Sequence, residues 1–184
     1  NIQVMRPEFK YGLVIGVGLS LWQLIEHRLG LHVAHQDIGT WTGYLSNLIP
    51  AAALFLLLQQ KPRAATNHRF TSGQAIASGM TASFLGAMIV FLFQMAYNRW
   101  INPDWIDNAL AVKVAALRAH GVAEVAIRRE ITLFRQANSP IGLIIGTVLN
   151  LTVTGGIISA AIAILLVRQK KFTTENTEYT EKEP

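Results

Sequence analysis

The 184-residue chain has no cysteine, which removes disulfides, thiolate metal sites and cysteine nucleophiles from consideration. It is also poor in charge: 15% of residues are charged against 51% hydrophobic. The apolar residues come in long blocks instead of at amphipathic spacing, the pattern of a chain that meets lipid. The net charge of +5 has a simple source, because many basic residues flank the apolar blocks. No basic stripe interleaved with stacking aromatics occurs, so a nucleic-acid partner is not expected. No Ser/His/Asp order, Walker motif or His-Glu-x-x-His is present, and the glycines at Gly12, Gly16 and Gly18 lack the strand-turn-helix setting of a dinucleotide fingerprint. Catalytic residues, a resident metal and a cofactor are accordingly not expected.

What is present divides into four apolar blocks. Residues 11–31, 38–59, 74–97 and 140–167 each reach the roughly 20 residues that cover a hydrocarbon core of about 30 Å at 1.5 Å per residue. The first ends in Glu26, His27 and Arg28, and no small-x-small cleavage pattern follows Trp22, so it reads as a retained anchor. The second contains Pro50, tolerable where neighbouring helices satisfy the freed carbonyl. The third carries no charge, and its eight Leu, Ile, Val and Phe residues favour insertion by on the order of 3 to 4 kcal/mol. The fourth opens at Asn138-Ser139-Pro140, with Ser as cap and Pro at the first helical position, and Gly155-Gly156 predicts a kink within it.

Between the third and fourth blocks, residues 103–136 read as a helical hairpin. Ile106, Leu110, Val114 and Leu117 recur at helical spacing, His120-Gly121 breaks the pattern, and Ile127, Ile131 and Phe134 form a second stripe. Glu124 and Arg128 are spaced for an i,i+4 ion pair. The stripes are expected to rest on the bundle, the bilayer interface or another subunit. Residues 172–184 are a polar Thr-Glu tail expected to be disordered, which leaves 1–171 as one helical membrane unit. Arg6 and Lys10, then Lys61, Arg63 and Arg69, then Arg168, Lys170 and Lys171 fall on one side of a four-span chain, which predicts cytoplasmic termini and an extracytoplasmic hairpin.

Small residues recur every four positions: Gly12 and Gly16; Ala75, Gly79, Ser83 and Ala87; Gly142 and Gly146. That spacing aligns them on one helix face, where they let backbones approach in lipid, either within the bundle or against a partner subunit. His27, His32 and His35 cluster with Asp37 near the end of the first block; metal or pigment ligation is one reading, an interfacial belt with Trp22 and Trp41 the other. Glu26 is an acid near the membrane interior, a position that raises ion or proton transfer as a role. Asn47, Gln94 and Asn150 are candidates for hydrogen bonds between helices.

The opening string from Phe9 to Gly16, the stretch from Pro103 to Asp107 leading to His120-Gly121, and the closing string from Gly155 to Ala163 resemble a family of bacterial four-span membrane proteins, domain of unknown function 4199. The resemblance covers most of the chain up to about Lys171 and implies an all-α inner-membrane protein without an assigned reaction. The reading that follows is a non-enzymatic accessory or scaffolding subunit whose partners are the lipid bilayer and other membrane subunits, with a small transporter or channel as the alternative.

Overall fold

The computed structural model describes residues 6–31, 36–64 and 71–180, with side chains placed over 6–31, 41–60 and 71–166. The described residues are helical, with no strand among them. The helices are α1 (Pro7–Arg28), α2 (Gln36–Leu45), α3 (Leu48–Ala64), α4 (Ser72–Ala96), α5 (Trp105–Ala119), α6 (Glu124–Ala137), α7 (Pro140–Leu143) and α8 (Asn150–Thr180). Two π-helical segments, Tyr97–Ile101 and Ile144–Leu149, extend α4 and join α7 to α8. Among the described residues, three stretches are long and apolar enough to cross a membrane: Trp41–Gln60, Ser72–Ile101 and Pro140–Leu166.

Four such spans are expected from the sequence, and α1 is the one that falls short. Lys10 and Glu26 bracket an apolar stretch of only residues 11–25, about 22 Å of helix against a core of about 30 Å. The expected limit at residue 31 takes in the charged end of α1 and the turn at Gly30 (φ 68°) that closes it.

The second span is broken near its start. Pro50 has no N–H to offer Ser46 O, which instead accepts from Ile49 N at 3.1 Å, and the chain tightens at Ser46 and Asn47 between α2 and α3. α4 begins with a reciprocal cap in which Thr71 Oγ1 accepts from Gln74 N while Gln74 Oε1 accepts from Thr71 N. In the last span Ser139 caps Gly142 N at 3.1 Å, with Pro140 at the first helical position. At Gly155-Gly156, where the sequence predicts a kink, α8 continues unbroken through both glycines, and the break in regular α-helix sits at Ile144–Leu149. α8 is traced to Thr180, past residue 171 where the sequence suggests a tail.

Packing within lipid must come from close backbone approach, because lipid tails are as apolar as leucine. α4 achieves it twice. Toward α1, a Cβ at Gly12 would stand 2.8 Å from Leu85 Cβ and 2.9 Å from Ala82 O, and one at Gly16 2.6 Å from Ile89 Cβ and 2.9 Å from Gly86 O. Toward α8, a Cβ at Gly79 would meet Ser159 Oγ, and one at Gly155 would meet Ser83 Oγ. The matched order makes α1 parallel to α4, and the reversed order makes α8 antiparallel to it. α3 lies against α1 and α8, where Leu54, Leu57 and Leu58 fill the space beside Tyr11, Ile15 and Ile162.

The hairpin stripes, expected to need an outside partner, cover each other. Leu110 of α5 and Ile127 of α6 are buried, and Trp105 meets Phe134 edge-on at 6.1 Å. Glu124 pairs across the turn with Arg118 at 2.8 Å and not with Arg128, because Gly121 (φ 71°) folds the end of α5 back toward the start of α6. Lys113–Glu130 and Arg135–Asp107, each 2.8 Å, tie the same two helices.

Two measurements follow from this packing. Gly79→Leu should destabilise the detergent-solubilised protein by about 1 to 3 kcal/mol in thermal or denaturant unfolding, whereas Gly146→Leu should be tolerated, since nothing lies within 4 Å of a Cβ there. In the hairpin, the hydrogen bonds from Arg118 and Lys113 hold Glu124 and Glu130 below the ordinary carboxylate value. A depressed carboxylate stabilises fully above its unfolded value near 4.3. That contribution is lost as pH falls through the lower folded values. Hydrogen-exchange protection in α5 and α6, taken relative to the intrinsic rate at each pH, should therefore be constant in this respect above that range and fall below it, a dependence that Glu124→Gln with Glu130→Gln should flatten.

Candidate functional site

Polar and aromatic side chains gather where α1 and α4 end together. α1 tracks α4 in constant register: Gly12 faces Ala82, Gly16 faces Gly86, and His27 meets the Tyr97 ring edge-on at 5.5 Å. Just there α4 widens into its π-helical segment, whose extra residue per turn rotates the following side chains; such wide turns are frequent at functional sites. Pro103 then stops the helix, and Asn102 before it takes an extended φ of −142°.

The result is three neighbouring hydrogen-bonded groups. Glu26, buried, accepts from Trp22 Nε1 at 2.8 Å. Asn102 Nδ2 lies 3.1 Å from Tyr97 Oη and 3.4 Å from His27 Nδ1. Asn98 Oδ1 accepts from Trp105 Nε1 at 2.6 Å and from Gln94 Nε2 at 3.3 Å, which fastens the first turn of the hairpin to the last turn of α4. This arrangement holds the Glu26 carboxylate away from bulk water and leaves the His27 imidazole half-buried.

Of the residues singled out by sequence, Gly12, Gly16, Gly79 and Ser83 sit in helix seams. Gly142 does not face another span: a Cβ there would meet Gln136 O and Ala137 O, at the end of α6. Gly146 faces open space. Glu26 and His27 lie in the cluster, while His32 and His35 fall outside the described residues; among those described, no group of three or more His, Asp or Glu could hold a metal. Asn47, Gln94 and Asn150, expected to bond between helices, bond locally instead, to Tyr44 O, Asn98 Oδ1 and Thr154 Oγ1, because each has a partner within one turn. Sequence reasoning missed Tyr97, Asn98, Asn102 and Trp105. Their only signal was two asparagines and two aromatics at the end of an apolar block, beside a proline.

The α4–α8 seam holds a second feature. Ser83 Oγ and Ser159 Oγ are fully buried and have no hydrogen-bond partner, whereas Ser20, Thr81 and Thr152 bond back to the carbonyl four residues earlier. Each of the two hydroxyls points across the seam at a glycine of the other helix.

Asn102→Ala should lower stability in a denaturant titration by about 1 to 3 kcal/mol, since it strips partners from the buried Tyr97 and from His27. Asn47→Ala, whose amide bond is exposed and local, should cost less.

No curated protein and no solved structure matches the chain. The model of one family, described as protein of unknown function (DUF4199), matches residues 10–168. The chain, a helical protein with three apolar helices of membrane-spanning length, therefore belongs to the DUF4199 family.

Proposed function

We propose that the chain is a non-enzymatic accessory or scaffolding subunit of a membrane complex, embedded in a bacterial cytoplasmic membrane by four spans with both termini cytoplasmic. The observation that carries this reading is the glycine-lined contact of α4 with α1 on one face and α8 on another. Backbones that leave no room for a Cβ leave none for a solute path along those seams. Such a core is suited to holding shape.

The fourth span is α1. Its parallel register with α4 from Gly12 to His27 gives it the tilt of a span, and Val14, Val17, Leu21 and Ile25 form an exposed apolar row suited to lipid. A local thinning of the bilayer and snorkelling of Lys10 accommodate its short apolar length. Arg6 and Lys10 at the start of α1, Lys61 and Arg63 at the end of α3 with Arg69 next in sequence, and Arg168, Lys170 and Lys171 in α8 support the cytoplasmic termini. The hairpin then lies outside the cytoplasm. A small transporter is the second reading, favoured by the buried Glu26 carboxylate.

Purification in mild detergent from native membranes should bring down the same partner chains each time, and a chain that always runs alone would count against a subunit. In the cysteine-free protein, cysteines at Ala119 and Asn176 report topology to an impermeant reagent in intact cells: Ala119→Cys should label and Asn176→Cys should not. Ion or solute flux in vesicles of the purified protein, lost in Glu26→Gln, would replace the scaffold reading with the transporter.

A further inference from the structure

The hairpin's ion pairs leave its charge unbalanced in one place. Lys113, Arg118 and Arg135 are matched to Glu130, Glu124 and Asp107. Arg99, Arg128 and Arg129 take part in none of these pairs, with Asp104 the one acid of the hairpin also outside them. On α6, Val125, Arg129 and Leu133 follow one another at four-residue spacing on the side away from buried Ile127, with Arg128 adjoining. Val125 is 82% exposed and Leu133 48% exposed. Two apolar side chains thus flank a pair of arginines on an outward face.

The fold keeps α6 close to the bilayer surface. Asn102, Pro103 and Asp104 alone separate the span Ser72–Ile101 from α5, and Asn138 and Ser139 alone separate α6 from the span Pro140–Leu166. A straight continuation of α6 into α7 would hold Gln136 and Gly142 about 9 Å apart along the axis. Gln136 O instead occupies the place a Gly142 Cβ would take, so α6 turns sharply off the span axis. A helix bearing Arg128, Arg129 and Glu130 cannot fold back into hydrocarbon. At the other end of the hairpin, Trp100, 78% exposed, stands beside Arg99 in the last turn of its span, an aromatic and a cation at headgroup level.

We propose that α6 docks on the headgroup layer of the bilayer, with Arg128 and Arg129 on the phosphates of anionic lipids and Val125 and Leu133 set into the acyl boundary. This rests on the membrane-embedded reading and adds a lipid-recognition surface to it. An interfacial helix of this type binds through buried apolar area together with attraction to anionic lipid.

The test uses the full chain carrying Val125→Cys, labelled with an environment-sensitive dye. It is reconstituted in vesicles of phosphatidylcholine alone or of phosphatidylcholine with phosphatidylglycerol, with flotation measured alongside. In the phosphatidylglycerol vesicles the dye should shift to the blue and be quenched by quencher-bearing lipid chains. The shift should shrink in high salt and be lost in Arg128→Gln with Arg129→Gln. Protein that floats with both vesicle types while the dye stays in water, or a shift that survives loss of both arginines, overturns the docking surface. Protein that does not float at all overturns the membrane reading beneath it.

Discussion

The architecture depends on how closely two other helices can approach α4. Hydrocarbon supplies no hydrophobic drive between helices, so the bundle is held by dispersion, which falls off steeply with distance. α4 therefore presents small residues in two directions: Ala82 and Gly86 toward α1, Gly79 and Ser83 toward α8. Each side chain added there would push backbone against backbone, and the displacement would be felt along a whole span. α3, with ordinary leucines, has no comparable seam and fills the remaining space beside α1 and α8.

The two buried serines make the α4–α8 seam different in kind from the α1–α4 seam. Hydroxyls that forgo the carbonyl of their own helix lose a hydrogen bond worth about 1 kcal/mol each. Weak Cα–H···O contacts from glycine, worth about half of that or more, are the compensation the geometry offers. Separating α4 from α8 would give both hydroxyls back their local carbonyls. The α1–α4 seam has no such alternative, for its closest contacts at Gly12 and Gly16 are with the Cβ atoms of Leu85 and Ile89 and with backbone carbonyls.

Much of this was legible in the sequence. Apolar blocks marked the three stretches of membrane-spanning length to within a few residues, since a charge inside hydrocarbon is costly wherever it falls. Four-residue spacing marked Gly12, Gly16, Gly79 and Ser83, because helical periodicity alone puts them on one face. The same spacing in Gly142 and Gly146 carried a different meaning, as spacing says which residues share a face and not what covers it. The first block was drawn too long because Glu26 to Leu31 were counted into it, although they form a helix end and a turn. Glu124 was assigned the neighbour on its own helix, whereas Gly121 brings a closer one from the other. The cluster around Tyr97 and Asn102 was not legible at all, since it depends on which residues a widened turn rotates inward.

Those widened turns have a common cause. The glycine seams fix the rotation of α4 and α8 about their axes, while the hairpin is clamped at both ends, by Trp105 on Asn98 and by the carbonyls of α6 on Gly142. Each stretch between seam and clamp must then satisfy two faces that a uniform 3.6-residue period does not align. A π-helical turn absorbs the difference by adding a residue without breaking the chain of backbone hydrogen bonds. One lies at Tyr97–Ile101 and the other at Ile144–Leu149, so both fall between a seam and the hairpin. The first of them starts at Tyr97, already buried against His27, and its wide turn brings Asn102 back onto Tyr97, so the polar cluster is a consequence of reconciling membrane packing with the docking of the hairpin.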